Sequence, residues 1–359
     1  RKRWNLDTYH GARVLRLAAP TTKDVSYLRR TLGEWLMPHF MKRNLRKSPL
    51  SGESWDGVVW YSPSIFHAPL VRALKSESKC RSYLILRDIF PEWARDLGLL
   101  GPGPAYSFFK HTARQQYEAA DVIGVQSPGN LGYFEQQRLS VAGQRLEVLQ
   151  NWLAPPELAA CSIDVSKTSL SGRKIFVYAG NMGVAQGLDA LIELAARVRN
   201  RKDIGFLFVG RGSEFERLKS YCEQNRLDNI VFLGEIEPDE IPGLYSQCTA
   251  GLVALDGRHK SHNIPGKFVT YIQNGLPVLA KVNTGNDLAV LIREEGVGVA
   301  CETGRIDDLL SEFDKFVDKI IDEPSIESKC KSLFDREFSA SKAVEQIVAG
   351  LSCGDRHSR

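Results

Sequence analysis

The segment His262-Asn263-Ile264-Pro265-Gly266-Lys267 leads from a polar, basic loop into a short predicted helix that stops at Gly275-Leu276-Pro277, just before the apolar strand Val278–Ala280. The N-terminus of a helix presents unpaired N–H groups and a partial positive charge, which suits a phosphate. Lys267 adds a full charge where a lysine is otherwise electrostatically disfavoured. The plainer reading is a solvated lysine.

A second cluster follows the apolar run Lys174–Tyr178: Ala179-Gly180-Asn181-Met182-Gly183-Val184-Ala185-Gln186-Gly187. Gly180, Gly183 and Gly187 let the backbone turn sharply and approach a ligand, although glycine turns between strand and helix are also common for packing alone. The spacing is not G-x-G-x-x-G, so a dinucleotide fingerprint fits poorly. Asn181 and Gln186 hydrogen-bond a phosphate without neutralising it, so its charge must be met elsewhere. Lys267 is the first candidate, with Lys260, Arg258 and Arg211 in reserve. Arg211 sits in a further glycine turn, Val209-Gly210-Arg211-Gly212, and Phe232-Leu233-Gly234-Glu235-Ile236 closes the strand after it. Asp256, before Gly257, reads as a turn former or as a substitute acceptor.

In the first half, Arg87-Asp88-Ile89-Phe90-Pro91-Glu92 directly follows the apolar run Ser82–Leu86. The carboxyl end of a buried parallel strand is where α/β proteins place chemistry. Asp88 either faces a substrate there, or caps a helix with its charge met by Arg87. The seven cysteines are odd in number and lack C-x-x-C spacing, which points to reduced thiols rather than a disulfide framework or structural zinc. No D-x-D pair offers itself to a divalent cation, so no metal is expected.

These groups need a scaffold of alternating strands and helices. Strands are predicted at Ala12–Ala18, Gly57–Tyr61, Ser82–Leu86, Val122–Gln126 and Leu146–Leu149, with helices near 24–46, 65–77 and 104–119. Asn151-Trp152-Leu153-Ala154-Pro155-Pro156 and the polar run Ser162–Arg173 read as a linker. Strands follow at Lys174–Tyr178, Gly205–Val209, Ile230–Leu233, Gly251–Leu255, Val278–Ala280 and Gly298–Cys301, with helices between them. That repetition predicts two doubly wound parallel sheets with ligands at the carboxyl ends of the strands.

At 359 residues with 43% hydrophobic and 25% charged residues, the chain can bury the cores of about two domains. A net charge of +4 fits anionic small molecules or a membrane surface and does not demand nucleic acid. No stretch approaches the roughly 18 apolar residues of a spanning helix. Residues 24–47 mix Leu28, Leu32, Trp35, Leu36 and Phe40 with Arg29, Arg30, Lys42, Arg43, Arg46 and Lys47. That composition suits an interfacial helix on anionic lipid and, equally, a core helix with a solvated basic face.

The basic loop, Lys267 and the Gly275-Leu276-Pro277-Val278 ending resemble the donor-diphosphate site of GT-B glycosyltransferases of retaining family 4. Arg87–Trp93, Asp96-Leu97-Gly98-Leu99 and Asp121-Val122-Ile123-Gly124-Val125-Gln126-Ser127 resemble the bacterial transferases of O-antigen and lipopolysaccharide assembly that add N-acetylfucosamine-type sugars. The likeness covers roughly residues 10–300. It implies an α/β GT-B fold of two Rossmann-like domains facing each other across a cleft. The first would take residues 1–155, joined by 338–359 crossing back, and the second 156–337. The likeness also implies an opening strand, glycine loop and helix, on the order of 40 residues, ahead of Ala12.

The resemblance also implies a cytoplasmic enzyme, peripheral on the inner face of the plasma membrane, with no cofactor. It would move a sugar from a nucleotide diphosphate, expected to be UDP, to a glycan or lipid-linked glycan, with retention and without metal. Gly180, Asn181, Gly183, Gln186, Arg211, Leu233, Ile236, Lys267 and Thr270 would hold the donor, and Asp88, Lys267 and His262 would serve catalysis. The family's two glutamates, seven residues apart, fall on His262 and Thr270, and its loop arginine and lysine fall on Asn181 and Gln186. These departures keep open a catalytically weak sugar-nucleotide scaffold. An NADP oxidoreductase, with Arg211 reading a 2′-phosphate, leaves the His262–Ala280 block unexplained.

Overall fold

The computed structural model describes residues 3–87, 89–96, 98–137, 143–156, 159–257, 264–319 and 322–352. Its first elements are β1 (Trp4–Tyr9), β2 (Ala12–Leu17), α1 (Tyr27–Leu45), β3 (Gly57–Ser62) and α2 (Ala68–Ser78). There follow β4 (Arg81–Leu86), α3 (Glu92–Asp96), α4 (Pro104–Ala119), β5 (Val122–Val125), α5 (Pro128–Gln137) and β6 (Arg145–Val148). Strands β3, β4, β5 and β6 lie in that order in one parallel sheet. Each is fed by a helix; Pro69 opens α2, and Lys79 closes it in the left-handed region.

The predicted strand at 12–18 exists as β2, but it does not join this sheet. It pairs antiparallel with β1 as a hairpin. His10 and Gly11 both have positive φ, which is the backbone of a two-residue hairpin turn, and neither strand has the continuous buried run of a central parallel strand. Helices α3 and α5 were not anticipated: α3 has only five residues, and α5 carries Gly129 and Gly132, which disfavour a helix.

The second half contains β7 (Lys174–Ala179), α6 (Asp189–Arg197), β8 (Ile204–Val209), α7 (Phe215–Gln224), β9 (Ile230–Leu233), α8 (Ile241–Tyr245) and β10 (Ala250–Ala254). After these come α9 (Gly266–Gln273), β11 (Val278–Lys281), α10 (Asp287–Glu295), β12 (Gly298–Cys301), α11 (Ile306–Lys319), α12 (Ile326–Glu337) and α13 (Ala340–Ser352). Every strand predicted here is present within a residue or two; α11 and α12 are additional. The six strands form one parallel sheet in the order β12-β11-β10-β7-β8-β9. That is the doubly wound order, and its direction of winding reverses between β7 and β10.

Hydrophobic cores lie on both faces of this sheet. On one, Leu191, Ile192, Leu194 and Ala195 of α6 pack with Phe176, Phe206 and Phe313, all essentially fully buried. Truncating such a leucine to alanine costs about 2–5 kcal/mol. On the other, α9 lays Phe268, Val269, Tyr271 and Ile272 against β7, β10 and β11. Asn286 caps α10 by accepting from the Leu288 N–H, and Gly296 ends it in the left-handed region.

The chain divides into two compact units: residues 1–126, 131–149 and 345–359, and residues 127–130 and 150–344. Helix α13 starts in the second and finishes in the first. There Gln346 donates to the Glu147 carboxylate and to the Val148 carbonyl, and Gly350 lets Tyr83 close on the helix backbone.

Candidate functional site

The winding reversal in the second unit leaves β7 and β10 paired only at Phe176–Ala250 and Val177–Gly251, after which they part. Tyr271 fills the gap. Its hydroxyl is shared between the Val177 and Leu252 carbonyls at 3.1 and 3.2 Å, and accepts from the Ala179 N–H at 3.3 Å. Its ring lies so close over Gly251 that a Cβ there would come within 2.3 Å. The tyrosine is fully buried and pins the first turns of α9 to the carboxyl ends of both strands. One turn earlier on the same helix is Lys267.

Lys267 is partly buried, with its ammonium 4.8 Å from the centre of the Tyr178 ring. Among the described residues it has no carboxylate partner, and burial alone holds its pKa below the usual lysine value. Gly180, at φ +130°, lies against it; a Cβ there would sit 2.9 Å from the lysine Cε. An ammonium tucked under a glycine turn, at a helix start and without a counter-charge, is arranged to meet an anion.

Two glycine turns build the opposite wall. A Cβ at Gly210 would lie 2.1 Å from the Gly180 carbonyl oxygen, and one at Gly212 would lie 2.3 Å from that of Met182. The Met182 N–H donates to the Arg211 carbonyl at 2.7 Å, and the Glu214 N–H to the Met182 carbonyl at 2.9 Å. The turns after β7 and β8 therefore lock backbone to backbone, which only glycine permits here. Gly210 and Gly212 are as necessary to the site as the glycines singled out at 180 and 183. Gly187, at φ +57°, packs on the backbone of Asp256, whose N–H donates to the Ala185 carbonyl at 3.0 Å.

Between these turns and the loop after β9 lies a pocket of about 280 Å³ lined by Ala179, Gly180, Asn181, Val209, Gly210, Arg211, Glu235, Ile236 and Ile241. Its floor is aliphatic and its rim is backbone amide and charge. Arg211 is exposed and held by Glu235 through two contacts, 2.9 and 3.2 Å. Ile236 lines the pocket, whereas Leu233 stands behind it, partly buried against the core. Asn181 and Gln186 turn toward each other at 3.3 Å, and Gln186 also accepts from the Gly183 N–H at 2.9 Å. They stabilise the turn. The Thr270 hydroxyl donates back to the Gly266 carbonyl within the helix. His262, Arg258 and Lys260 lie outside the described residues, as does Asp88.

This arrangement accepts a flat apolar group in the pocket and an anion between the Gly180 turn and Lys267. Residues 163–327, which contain it, match the family described as Glycosyl transferases group 1. That match covers most of the second unit. The chain is 25% identical over 260 residues to the putative colanic acid biosynthesis glycosyl transferase WcaI of Escherichia coli (strain K12), covering 69% of this chain and 60% of that protein. It thus spans under two thirds of that relative's length. Among solved structures it is similar to the apo form of the lipopolysaccharide outer core galactosyltransferase WaaB, with TM-score 0.57 and 15% identity over 91% of this chain and 82% of that one. It is also similar to Anabaena Alr3699/HepE in complex with UDP-glucose, with TM-score 0.59 and 17% identity over 82% and 78% of the two chains. The fold is that of the GT-B glycosyltransferases, with parallel sheets as expected.

In the first unit, the carboxyl end of β4 carries a different kind of cluster. The buried Arg87 guanidinium lies 5.9 Å from the centre of the Tyr61 ring. Five residues on, Glu92 Oε1 accepts from the Tyr106 hydroxyl at 3.3 Å and lies 4.0 Å from the Lys110 ammonium, while its Oε2 is buried without a hydrogen-bond partner among the described residues. Burial pushes the phenol pKa values of Tyr133 and Tyr117 up, and the nearby Glu92 charge raises both further. Sequence reading passed over Glu92 in favour of Asp88. No group of three or more acidic, histidine or cysteine side chains suited to a metal occurs among the described residues, and the six described cysteines are free thiols.

Proposed function

We propose that this chain is a retaining glycosyltransferase of family 4 type. It moves a sugar from a UDP-linked donor to a glycan or lipid-linked glycan in the assembly of lipopolysaccharide, O-antigen or a related surface polysaccharide. The observation that carries this reading is Lys267: an ammonium without a carboxylate partner, set against the Gly180 turn where β7 and β10 part, beside a pocket sized for a base. The leaving diphosphate is where charge develops in the transition state, and preorganised donors in a partly dry site stabilise it most. In this reading the uracil lies over Val209, Ile236 and Ile241, and the pyrophosphate lies between the Gly180 turn and Lys267 without a metal ion. An N-acetylated deoxyhexose is the proposed donor sugar, with Asp88 and His262 as the proposed groups facing it. Work at the inner face of the plasma membrane follows from the proposed acceptor.

Calorimetric titration tests the donor. UDP should bind, NADP should not, and Lys267→Ala should lower UDP affinity about 10- to 100-fold, the worth of one charge-assisted contact. UDP binding that ignores the substitution would overturn the site. A second reading, a sugar-nucleotide-binding scaffold, is favoured by Thr270, whose hydroxyl is turned into its own helix where the family carries a carboxylate. Donor turnover by the wild-type protein no faster than by Lys267→Ala, with UDP still bound, would decide for the scaffold.

A further inference from the structure

Ile264 stands just ahead of helix α9, and its carbonyl has no place in the helix ladder. The first bond of that ladder runs from the Phe268 N–H to the Pro265 carbonyl at 3.0 Å, and Pro265 itself brings no N–H. Ile264 is buried, so its carbonyl needs a donor from elsewhere in the fold. Asn151 supplies one: its side-chain amide donates to the Ile264 carbonyl at 3.0 Å.

The far end of the helix is tied to the same stretch of chain. There the Gln273 side-chain amide donates to the Ala154 carbonyl at 2.8 Å. Between the two ties, Leu153 is clipped to the segment joining α12 and α13. Its N–H donates to the Phe338 carbonyl at 3.0 Å, and its own carbonyl accepts from the Ala340 N–H at 3.1 Å. Phe338 meets Phe268 edge-on with ring centres 6.0 Å apart, and both are fully buried. In sequence, residues 151–156 read only as a linker. In the fold, 151–154 form a strap laid along α9 from its start to its end, all of it within the second unit.

Tyr271 fastens the later turn of α9, so it leaves the first turn, which carries Lys267, to be fixed by something else. Of the strap's two side-chain ties, the one made by Asn151 lies at that first turn. We infer, on the donor reading of Lys267, that Asn151 is a positioning residue for the diphosphate, holding the start of α9 and the ammonium against the Gly180 turn through the Ile264 carbonyl. Asn151 touches no ligand in this role; it acts through the helix. Without its amide a buried carbonyl is left without that donor, the helix start shifts toward water, and a long lysine side chain regains its freedom. Held beforehand, the ammonium and the helix N–H groups meet a phosphate without first being ordered.

Calorimetry with UDP, together with hydrogen exchange of the free protein, tests this. Asn151→Asp keeps the shape and loses the N–H donor, and Asn151→Ala loses the donor without adding charge; thermal melts establish that each is folded. Each should lower UDP affinity about 3- to 10-fold and speed exchange at the amides of residues 266–269 in the absence of nucleotide. A double-mutant cycle separates positioning from a general loss of stability. In a Lys267→Ala chain, Asn151→Ala should cost UDP no further affinity, because the ammonium it aims is gone. Gln273→Ala, which cuts the tie at the far end, should leave UDP affinity within about twofold of the wild type. UDP affinity indifferent to both Asn151 variants, unchanged exchange at 266–269, a loss that adds to that of Lys267→Ala, or an equal loss from Gln273→Ala would each overturn the inference and leave the donor site standing. A wild-type chain that does not bind UDP would overturn the donor reading itself, and the role of Asn151 with it.

Discussion

The carboxyl ends of the two parallel sheets solve the same problem with different materials. In the second unit the site is made of backbone: three turns interlocked through glycines, a helix start, and one ammonium. In the first it is made of side chains, with Arg87 on Tyr61 and Glu92 among Tyr106, Tyr133 and Lys110. A backbone cradle suits a group common to many substrates, such as a diphosphate, because it reads charge and shape rather than identity. A side-chain cluster can change residue by residue, which suits the part of a substrate that varies. Winding explains where each forms. Six strands that reverse at β7 and β10 leave a crevice ready for backbone amides, whereas β3 to β6 run in one direction without a reversal.

Substitutions should separate the two kinds of construction. The largest effect is expected at Gly210, where alanine meets the Gly180 carbonyl oxygen at 2.1 Å and φ is +141°. Gly210→Ala should lose about 3 kcal/mol of stability and all measurable UDP binding. Gly234→Ala, with nothing within 4 Å of its Cβ, should leave both unchanged in thermal melts and calorimetry. Equal effects at the two positions would break the contrast between a locked turn and a free one.

Next in size, Lys267→Met should cost the donor about 10- to 100-fold in affinity while the melting temperature holds or rises. The sign follows from the lysine pKa, which burial lowers in the folded protein. The unfolded chain then binds more protons, so a charged Lys267 disfavours folding near neutrality, and that penalty lifts as pH rises through the folded pKa. A bound diphosphate draws the pKa back up. UDP affinity should therefore be full below the free-protein pKa and fall as pH rises through it, with proton uptake visible in calorimetry at higher pH. A flat pH profile would count against Lys267 as the phosphate partner.

Tyr271→Phe removes the hydroxyl that serves the Ala179 N–H and two carbonyls, and should cost about 1–3 kcal/mol in chemical denaturation. Its effect on UDP should be smaller than that of Lys267→Met. The smallest effect is expected from Gln186→Ala, about 0.5–1.5 kcal/mol in UDP binding, because Gln186 braces the turn through the Gly183 N–H. A loss as large as that at Lys267 would mean that Gln186 touches the phosphate directly.

What could be read beforehand follows the same division. The second sheet was legible strand by strand, since runs such as Ile204–Val209 are buried throughout and announce a central parallel strand. The glycine turns showed themselves as turns, but not that Gly210 and Gly212 face Gly180 and Met182, because long-range backbone contact leaves no local signature. Tyr271 was invisible for the opposite reason. It sits in an apolar stripe with Phe268 and Ile272, and nothing in that periodicity marks one aromatic hydroxyl as a fastener. Asn181 and Gln186 read as phosphate ligands by type, yet the fold turns them toward each other. In the first unit, β2 looked like the opening strand of an alternating pattern until the His10–Gly11 turn paired it with β1. Composition fits two readings of α1, an interfacial helix on anionic lipid and a core helix with a solvated basic face.

The split held by Tyr271 has a further meaning for how a ligand would enter. Because its phenol oxygen already satisfies the polar groups that parting strands expose, the crevice is cut during folding and stands open before any guest arrives. A nucleotide then has no sheet to pry apart, so its contacts contribute to affinity without first undoing a ladder.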